Sequence, residues 1–411
     1  MTLDLTISRL GLQGDGIADT ADGPVYVPFT LPGEEVRAEP RKAGRAVPIE
    51  VVKASPSRAE PPCPHFGSCG GCELQHADPA LYGEFKRSIV VEALRRQGIE
   101  TEVAPLVPCA PETRRRLTLT ALRAGTKLLL GFFEAHSDRI VPIGPCPVAE
   151  PAIVAALPAL EKLSAILLDR KKPLKLLVTR TETGLDVFAS DAGKLPDDKR
   201  QQAIAHALKS DFARLTVDGE VFAMRRPPIV TFGGLRVTLP PGGFLQAVET
   251  AEEAMAKLVI THLAKSKRVA DLFSGSGTFA LRLAKRAKVY AVEAEAPALA
   301  ALDKAWREAE GLKPVTTERR DLFRRPIIAK DLKPYDGLVF DPPRAGAEGV
   351  AAELGKSNVK RVAAVSCNPQ TLARDLKLLL DGGYRLVSVT PIDQFLWSHH
   401  VEAVALLEKG G

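Results

Sequence analysis

The 411-residue sequence is poor in aromatic side chains, 5% in all with only two Trp and five Tyr, and it holds just three Met and six Cys. No stretch approaches the roughly 18 uninterrupted apolar residues that a membrane helix needs. Its best runs, such as Lys127 to Phe133, are short. The N-terminus, MTLDLTISRL, sets acidic and polar residues where a signal peptide carries its apolar core, so the expected location is the cytoplasm. In that reducing compartment, metal binding or catalysis is the expected use of the cysteines, ahead of disulfides. A strong excess of one charge is missing too: 56 Lys+Arg against 50 Asp+Glu leaves +6, which permits an acidic partner without demanding one. There is no internal repeat and no low-complexity tail. What is present, 45% hydrophobic and 26% charged residues, describes a soluble globular protein of two or three domains.

Along the chain, three textures follow one another. Residues 1–57 read as short strands divided by Gly, Pro and Asp turns, the pattern of a small β-barrel of the OB type. Arg37, Arg41, Lys42, Arg45 and Lys53 lie on or beside those strands, where they suit either a nucleic-acid backbone or an ordinary solvated face. Residues 58–240 follow a Pro-rich linker and read as a mixed α+β domain. A helix is expected from Leu81 to Gln97, closed by Gly98, and a single helix over residues 150–169 interrupts a series of strands. Residues 241–411 alternate strand, loop and helix, which predicts an α/β fold with a doubly wound parallel sheet.

Three loops of that last region fall at strand ends, where open α/β sheets bind ligands. Asp271-Leu-Phe-Ser-Gly-Ser-Gly277-Thr278 is a glycine turn leading into a helix, but Ala280 stands in place of the third glycine of a dinucleotide fingerprint. Glu293, 16 residues beyond Gly277, ends the next strand and can accept from a ribose. A nucleoside-bearing cofactor fits, with a nicotinamide cofactor as the runner-up and an unliganded turn as the plainest alternative. Asp341-Pro-Pro-Arg344 and Ser366-Cys367-Asn368-Pro369 end two further strands. Cys367 precedes a helix start, which is expected to favour its thiolate and make it a nucleophile. Glu402, ahead of an apolar strand, is expected to be desolvated and to have a raised pKa suited to a general base, or else to form a surface salt bridge. His399 and His400 are read as solvated or as metal ligands.

Outside the sheet, Cys63-x5-Cys69-x2-Cys72 places three thiols in one glycine-rich loop, and Cys146 in GPCP offers a remote fourth. Iron-sulfur ligation fits this spacing, and structural zinc recruiting His65 or His76 competes with it. Cys109, flanked by Pro108 and Pro111, is read as structural.

Taken together, GGFLQAV, DLFSGSGTF, VEAE, FDPPRAG, SCNPQTLARDL and HVEAVALL resemble the S-adenosylmethionine-dependent RNA 5-methyluridine methyltransferases. CPHFGSCGGCELQH with GPCP resembles the cluster loop of members that act on 23S ribosomal RNA, and the barrel resembles their TRAM domain. The resemblance implies a class I, Rossmann-like catalytic domain, a nucleophile at Cys367 and a proton acceptor at Glu402. It implies donor contacts from Gln246, Phe273, Thr278, Glu293, Asp321 and Asp341, and a 4Fe-4S cluster on Cys63, Cys69, Cys72 and Cys146. It further implies that a helix over residues 78–104 packs on the catalytic domain and that the partner is RNA, ribosomal ahead of transfer RNA; a monomer away from membranes is the separate expectation. Arg114, Arg115, Arg116 and Arg123 are candidate phosphate contacts. The rivals are an iron-sulfur NAD-dependent oxidoreductase and a non-catalytic RNA-binding protein on the same fold.

Overall fold

The computed structural model of the chain describes residues 2–135, 137–168 and 172–410. Its C-terminal sheet has seven strands in the order Val315–Arg319, Lys288–Glu293, Arg268–Leu272, Gly337–Phe340, Arg361–Ser366, Glu402–Lys409, Tyr384–Ile392. Strands such as Gly337–Phe340 are buried along their whole length, which is why they read as continuous apolar runs. The parallel, doubly wound arrangement holds across the first five strands of that order. Glu402–Lys409 departs from it, running antiparallel between its two neighbours. This reversal decides the site. A strand that runs backwards begins at the edge where the parallel strands end, so Glu402 starts beside the end of Arg361–Ser366, with Ser366 opposite Ala403.

Helix Pro79–Arg96 joins this core although it lies far upstream in sequence. Asp78 caps it by accepting from the Leu81 N–H at 2.7 Å, Pro79 opens it, and Gly98 at φ +70° closes it. Tyr82, Phe85, Ile89, Val90, Ala93 and Leu94 bury one face against the C-terminal core, chiefly helix Pro369–Asp381 and strand Tyr384–Ile392.

A second seven-stranded sheet forms between Arg116 and Met224 with its own apolar core. The single helix expected over 150–169 is two helices, Pro151–Ala155 and Leu157–Leu167. Pro158 has no N–H to continue the first ladder and instead sits in the opening turn of the second; Asp169 lies outside the described residues. Helix Asp197–Lys209 was not expected from sequence, though Asp197 and Asp198 in its first turn and the buried Ala203 and Ala207 mark it. The N-terminal strands form two three-stranded sheets around Leu5, Ile7, Val27 and Val36. No helix among the described residues is long and apolar enough to cross a membrane.

Candidate active site

A cleft of about 960 Å³ opens along the carboxyl ends of the parallel strands, between the C-terminal sheet and the middle domain. Gln246, Phe273, Thr278, Glu293, Asp321, Asp341, Cys367 and Glu402 all line it. The turn after Arg268–Leu272 is shaped by backbone conformations side chains rarely adopt: Phe273 has φ +62° and Gly277 φ +100°. A Cβ on Gly277 would stand 3.0 Å from Cγ of both Leu281 and Leu302, so only glycine lets the following helix pack this closely.

Glu293 ties the turn together. Its Oε2 accepts from Gly275 N–H at 3.0 Å, and its Oε1 accepts from Ala294 and Glu295 N–H at 2.6 and 2.9 Å. Those bonds leave lone pairs on the carboxylate for a ribose hydroxyl. Asp321 caps its own turn, accepting from the N–H groups of Phe323 and Arg324. That turn sets the exposed Phe323 ring 5.5 Å from Phe273, an apolar slot at the same end of the cleft as Glu293. Buried Ser274 and Ser276 hydroxyls have no hydrogen-bond partner among the described residues.

At the other end two carboxylates are joined by two amides. Gln246 Nε2 donates to Asp341 Oδ2 at 3.0 Å, and Gln394 Nε2 donates to Gln246 Oε1 at 2.8 Å and to Glu402 Oε2 at 2.5 Å. Burial and the charge of Asp341 push Glu402 up to about 8, while burial pushes Asp341 up to about 7 against the favourable bond from Gln246. Glu402 therefore has the raised pKa expected of it, and it is no surface salt bridge, being only 1% exposed.

Cys367 stands next to this pair, immediately before Asn368, whose side chain caps helix Pro369–Asp381 by accepting from the Gln370 N–H. The expected lowering of its pKa is not found. Burial, then the charges of Glu402 and Asp341, push the thiol up to about 11, and the Arg344 guanidinium offsets only part of this. Arg344 Nη2 also donates to His400 Nδ1 at 3.1 Å, and burial holds His400 down to about 4, hence neutral. His399 lies 3.4 Å from Glu73, so neither histidine is simply solvated.

The candidate phosphate contacts divide. Arg115 is buried and bound to Glu252, so it is unavailable to a ligand. Arg114 and Arg116 line the cleft, and Arg123 is exposed. On the N-terminal sheets, Arg37, Arg41, Arg45 and Lys53 already pair with carboxylates, which weakens their reading as a bare anionic-ligand face.

Cys63, Cys69, Cys72 and Cys146 line a separate hollow of about 380 Å³. Burial raises the pKa of Cys69, Cys72 and Cys146, and the other thiols of the set add to the rise. Among the described residues, no three His, Cys, Asp or Glu side chains converge closely enough to hold a single metal ion. His76 is fully buried among Phe29 and Phe66, and His65 Nε2 accepts from the Gly144 N–H. Cys109 is buried apart from this set.

Gln394 is the functional residue that sequence reasoning missed. It sits in no recognisable spacing, 148 positions from the glutamine it contacts. Arg344 belongs to a motif singled out in the sequence but was given no role there.

Residues 235–410 match the family model described as tRNA (Uracil-5-)-methyltransferase. An uncharacterized RNA methyltransferase of Brucella suis is 54% identical over 409 residues, covering 100% of this chain and 98% of the relative. The 23S rRNA (uracil(1939)-C(5))-methyltransferase RlmD of Pectobacterium atrosepticum is 33% identical over 431 residues, covering 98% and 93%. Among solved structures, the Pyrococcus abyssi tRNA (uracil-54, C5)-methyltransferase in complex with S-adenosyl-L-homocysteine superimposes with a TM-score of 0.77 at 24% identity, covering 98% of this chain and 99% of that one.

Proposed function

The chain belongs to the RNA (uracil-5-)-methyltransferase family, and we propose that it methylates C5 of one uridine in 23S ribosomal RNA through a covalent adduct between Cys367 and C6. The observation that carries this reading is the meeting of Cys367, Glu402 and Asp341 at one end of the cleft whose other end is the glycine turn and Glu293.

C5 of uracil is a poor nucleophile. Cys367 Sγ, as the thiolate, bonds to C6 and drives an electron pair onto C5. S-adenosylmethionine, the second substrate, supplies the methyl group that C5 takes. Glu402 removes the remaining C5 proton, that electron pair restores the C5–C6 double bond, and the Sγ–C6 bond breaks to return the thiolate. Donor binding falls to the Phe273 and Phe323 slot, the open turn at Gly275 and Gly277, Thr278, Asp321 and the spare lone pairs of Glu293. Gln246 and Asp341 belong to the amide-linked group that includes Glu402. The target uridine must be unpaired or flipped, because neither face of C6 is open inside a helix.

The four cysteines are assigned to a 4Fe-4S cluster. A zinc ion needs its thiolates within about 2.3 Å, whereas a four-iron cluster spreads them around a larger cube, as the hollow suits. The reaction transfers no electrons, so a cluster held by these four cysteines would tie the 63–72 loop to residue 146 or position the RNA. Iron and sulfide in about fourfold amount, with a visible absorption band, is the expected result of analysis; zinc without iron would refute the assignment.

Ribosomal RNA is preferred over transfer RNA because the relative named for 23S rRNA is 33% identical to this chain, against 24% for the tRNA enzyme, at equal coverage of this chain. Mass-spectrometric mapping of 5-methyluridine in both RNAs, from cells lacking the protein and complemented by wild type or Cys367→Ala, tests substrate and nucleophile together. Loss of one ribosomal methyl group, restored only by wild type, is expected; a transfer RNA position behaving so would reassign the substrate.

A further inference from the structure

The Gln394 side chain has no freedom left. Its Oε1 accepts from the Ala247 backbone N–H at 3.0 Å, and an amide N–H can only donate, so the carboxamide must turn its oxygen to Ala247. Nε2 then faces Gln246 Oε1 and Glu402 Oε2, and both of its hydrogens are used. Gln246 is fixed in turn, oxygen towards Gln394 and nitrogen towards Asp341. Each carboxylate therefore offers an accepting oxygen to the amide chain, and Glu402 keeps Oε1, buried and without a partner among the described residues.

Resting on the reading of Glu402 as the base, we infer that Gln394 is the positioning residue that commits Glu402 Oε2 to the protein and leaves Oε1 to take the C5 proton. The backbone around Gln394 is held equally firmly. Its carbonyl accepts from Arg114 Nη1 at 3.1 Å, and neighbouring Asp393 is clamped by Lys86 and Tyr82. Proton removal is thus tuned by a group that acts through Glu402 and takes no proton itself. The titratable and charged groups around Glu402 are Asp341 and Cys367 at the neighbouring strand ends, Arg344 beyond Cys367, and the neutral His400 on its own segment. The amide from Gln394 favours the charged form of Glu402 against burial and Asp341.

The test uses the full chain, ribosomal RNA from cells lacking the protein, and Gln394→Met, which keeps the shape and removes the amide. Losing a hydrogen bond to a charged group is expected to slow product release about 10- to 100-fold. Methylated RNA should accumulate covalently on Cys367, with the ascending limb of the pH–rate profile moved up by about one unit. Wild-type release and pH profile in Gln394→Met, while Glu402→Gln traps the adduct, would overturn the inference and leave the base assignment standing. Failure of Gln394→Met to form any adduct would also overturn it, placing the residue before proton removal. Normal release by Glu402→Gln would instead remove the base assignment itself. Should Gln394→Met fail to fold, Gln394→Glu decides: its carboxyl can donate only while protonated, so activity should fall as pH rises, and a wild-type profile refutes the inference.

Discussion

Lys86 Nζ lies 2.5 Å from Asp393 Oδ1, both side chains fully buried, although 307 positions separate the two residues. Tyr82 Oη donates to the other Asp393 oxygen at 2.7 Å, and Lys86 also donates to the Phe395 carbonyl. Through this clamp the helix Pro79–Arg96 holds the segment that carries Gln394 and leads into Glu402. Burial lowers the lysine pKa, with Asp393 opposing it.

Breaking one side of a buried pair strands the other charge. Lys86→Met is therefore expected to destabilise the folded chain by about 3–5 kcal/mol. Combining it with Asp393→Asn should lose less than the two single changes added together, measured by urea unfolding. Strict additivity would mean that the pair is not coupled.

Glu402 and Asp341 carry folded-state pKa values raised to about 8 and about 7, above unfolded values of about 4.3 and 3.9. The folded protein then binds more protons through that interval, so the ligand-free chain should lose stability as pH climbs from about 4 to about 8 and level off above. Glu402→Gln removes the Glu402 share of the penalty and leaves that of buried Asp341. It should melt higher than wild type above pH ~8 and nearly alike near pH ~4; equal melting at both ends would contradict the raised carboxylate.

Removing the Glu402 charge should also release Cys367. Burial and the two carboxylates hold the thiol near 11, so alkylation of the free enzyme by iodoacetamide should be slow at neutral pH and rise with pH. Glu402→Gln is expected to alkylate Cys367 faster at pH ~8. Peptide mass spectrometry checks this, and an unchanged rate would show that the Glu402 charge does not hold the thiol up.

Gly277→Ala places a Cβ against Leu281 and Leu302 at φ +100°. Strain of about 1–3 kcal/mol is expected. Part of it should surface as weaker S-adenosylmethionine binding, readable by calorimetry; wild-type affinity and stability together would show that the turn tolerates a side chain.

Sequence alone determined the features that are local. Alternation of strands and helices after Gly243, the glycine turn at 275–277, Asn368 and Pro369 opening a helix, and the spacing of Cys63, Cys69 and Cys72 are set by backbone sterics and turn chemistry over a few residues. Such signals survive without knowledge of the rest of the chain. The break at Pro158 was equally local and was missed only because the apolar pattern continues across it. Tertiary structure decided what depends on distant partners. The antiparallel course of Glu402–Lys409 brings a buried carboxylate beside the Cys367 thiol. The amide of Gln394 joins two carboxylates, and Lys86 meets Asp393 across most of the chain. It also reversed the expected direction of the Cys367 pKa. A helix terminus can be read from residues 368 and 369, whereas desolvation and the nearby carboxylates of Asp341 and Glu402 exist only once the strand ends converge.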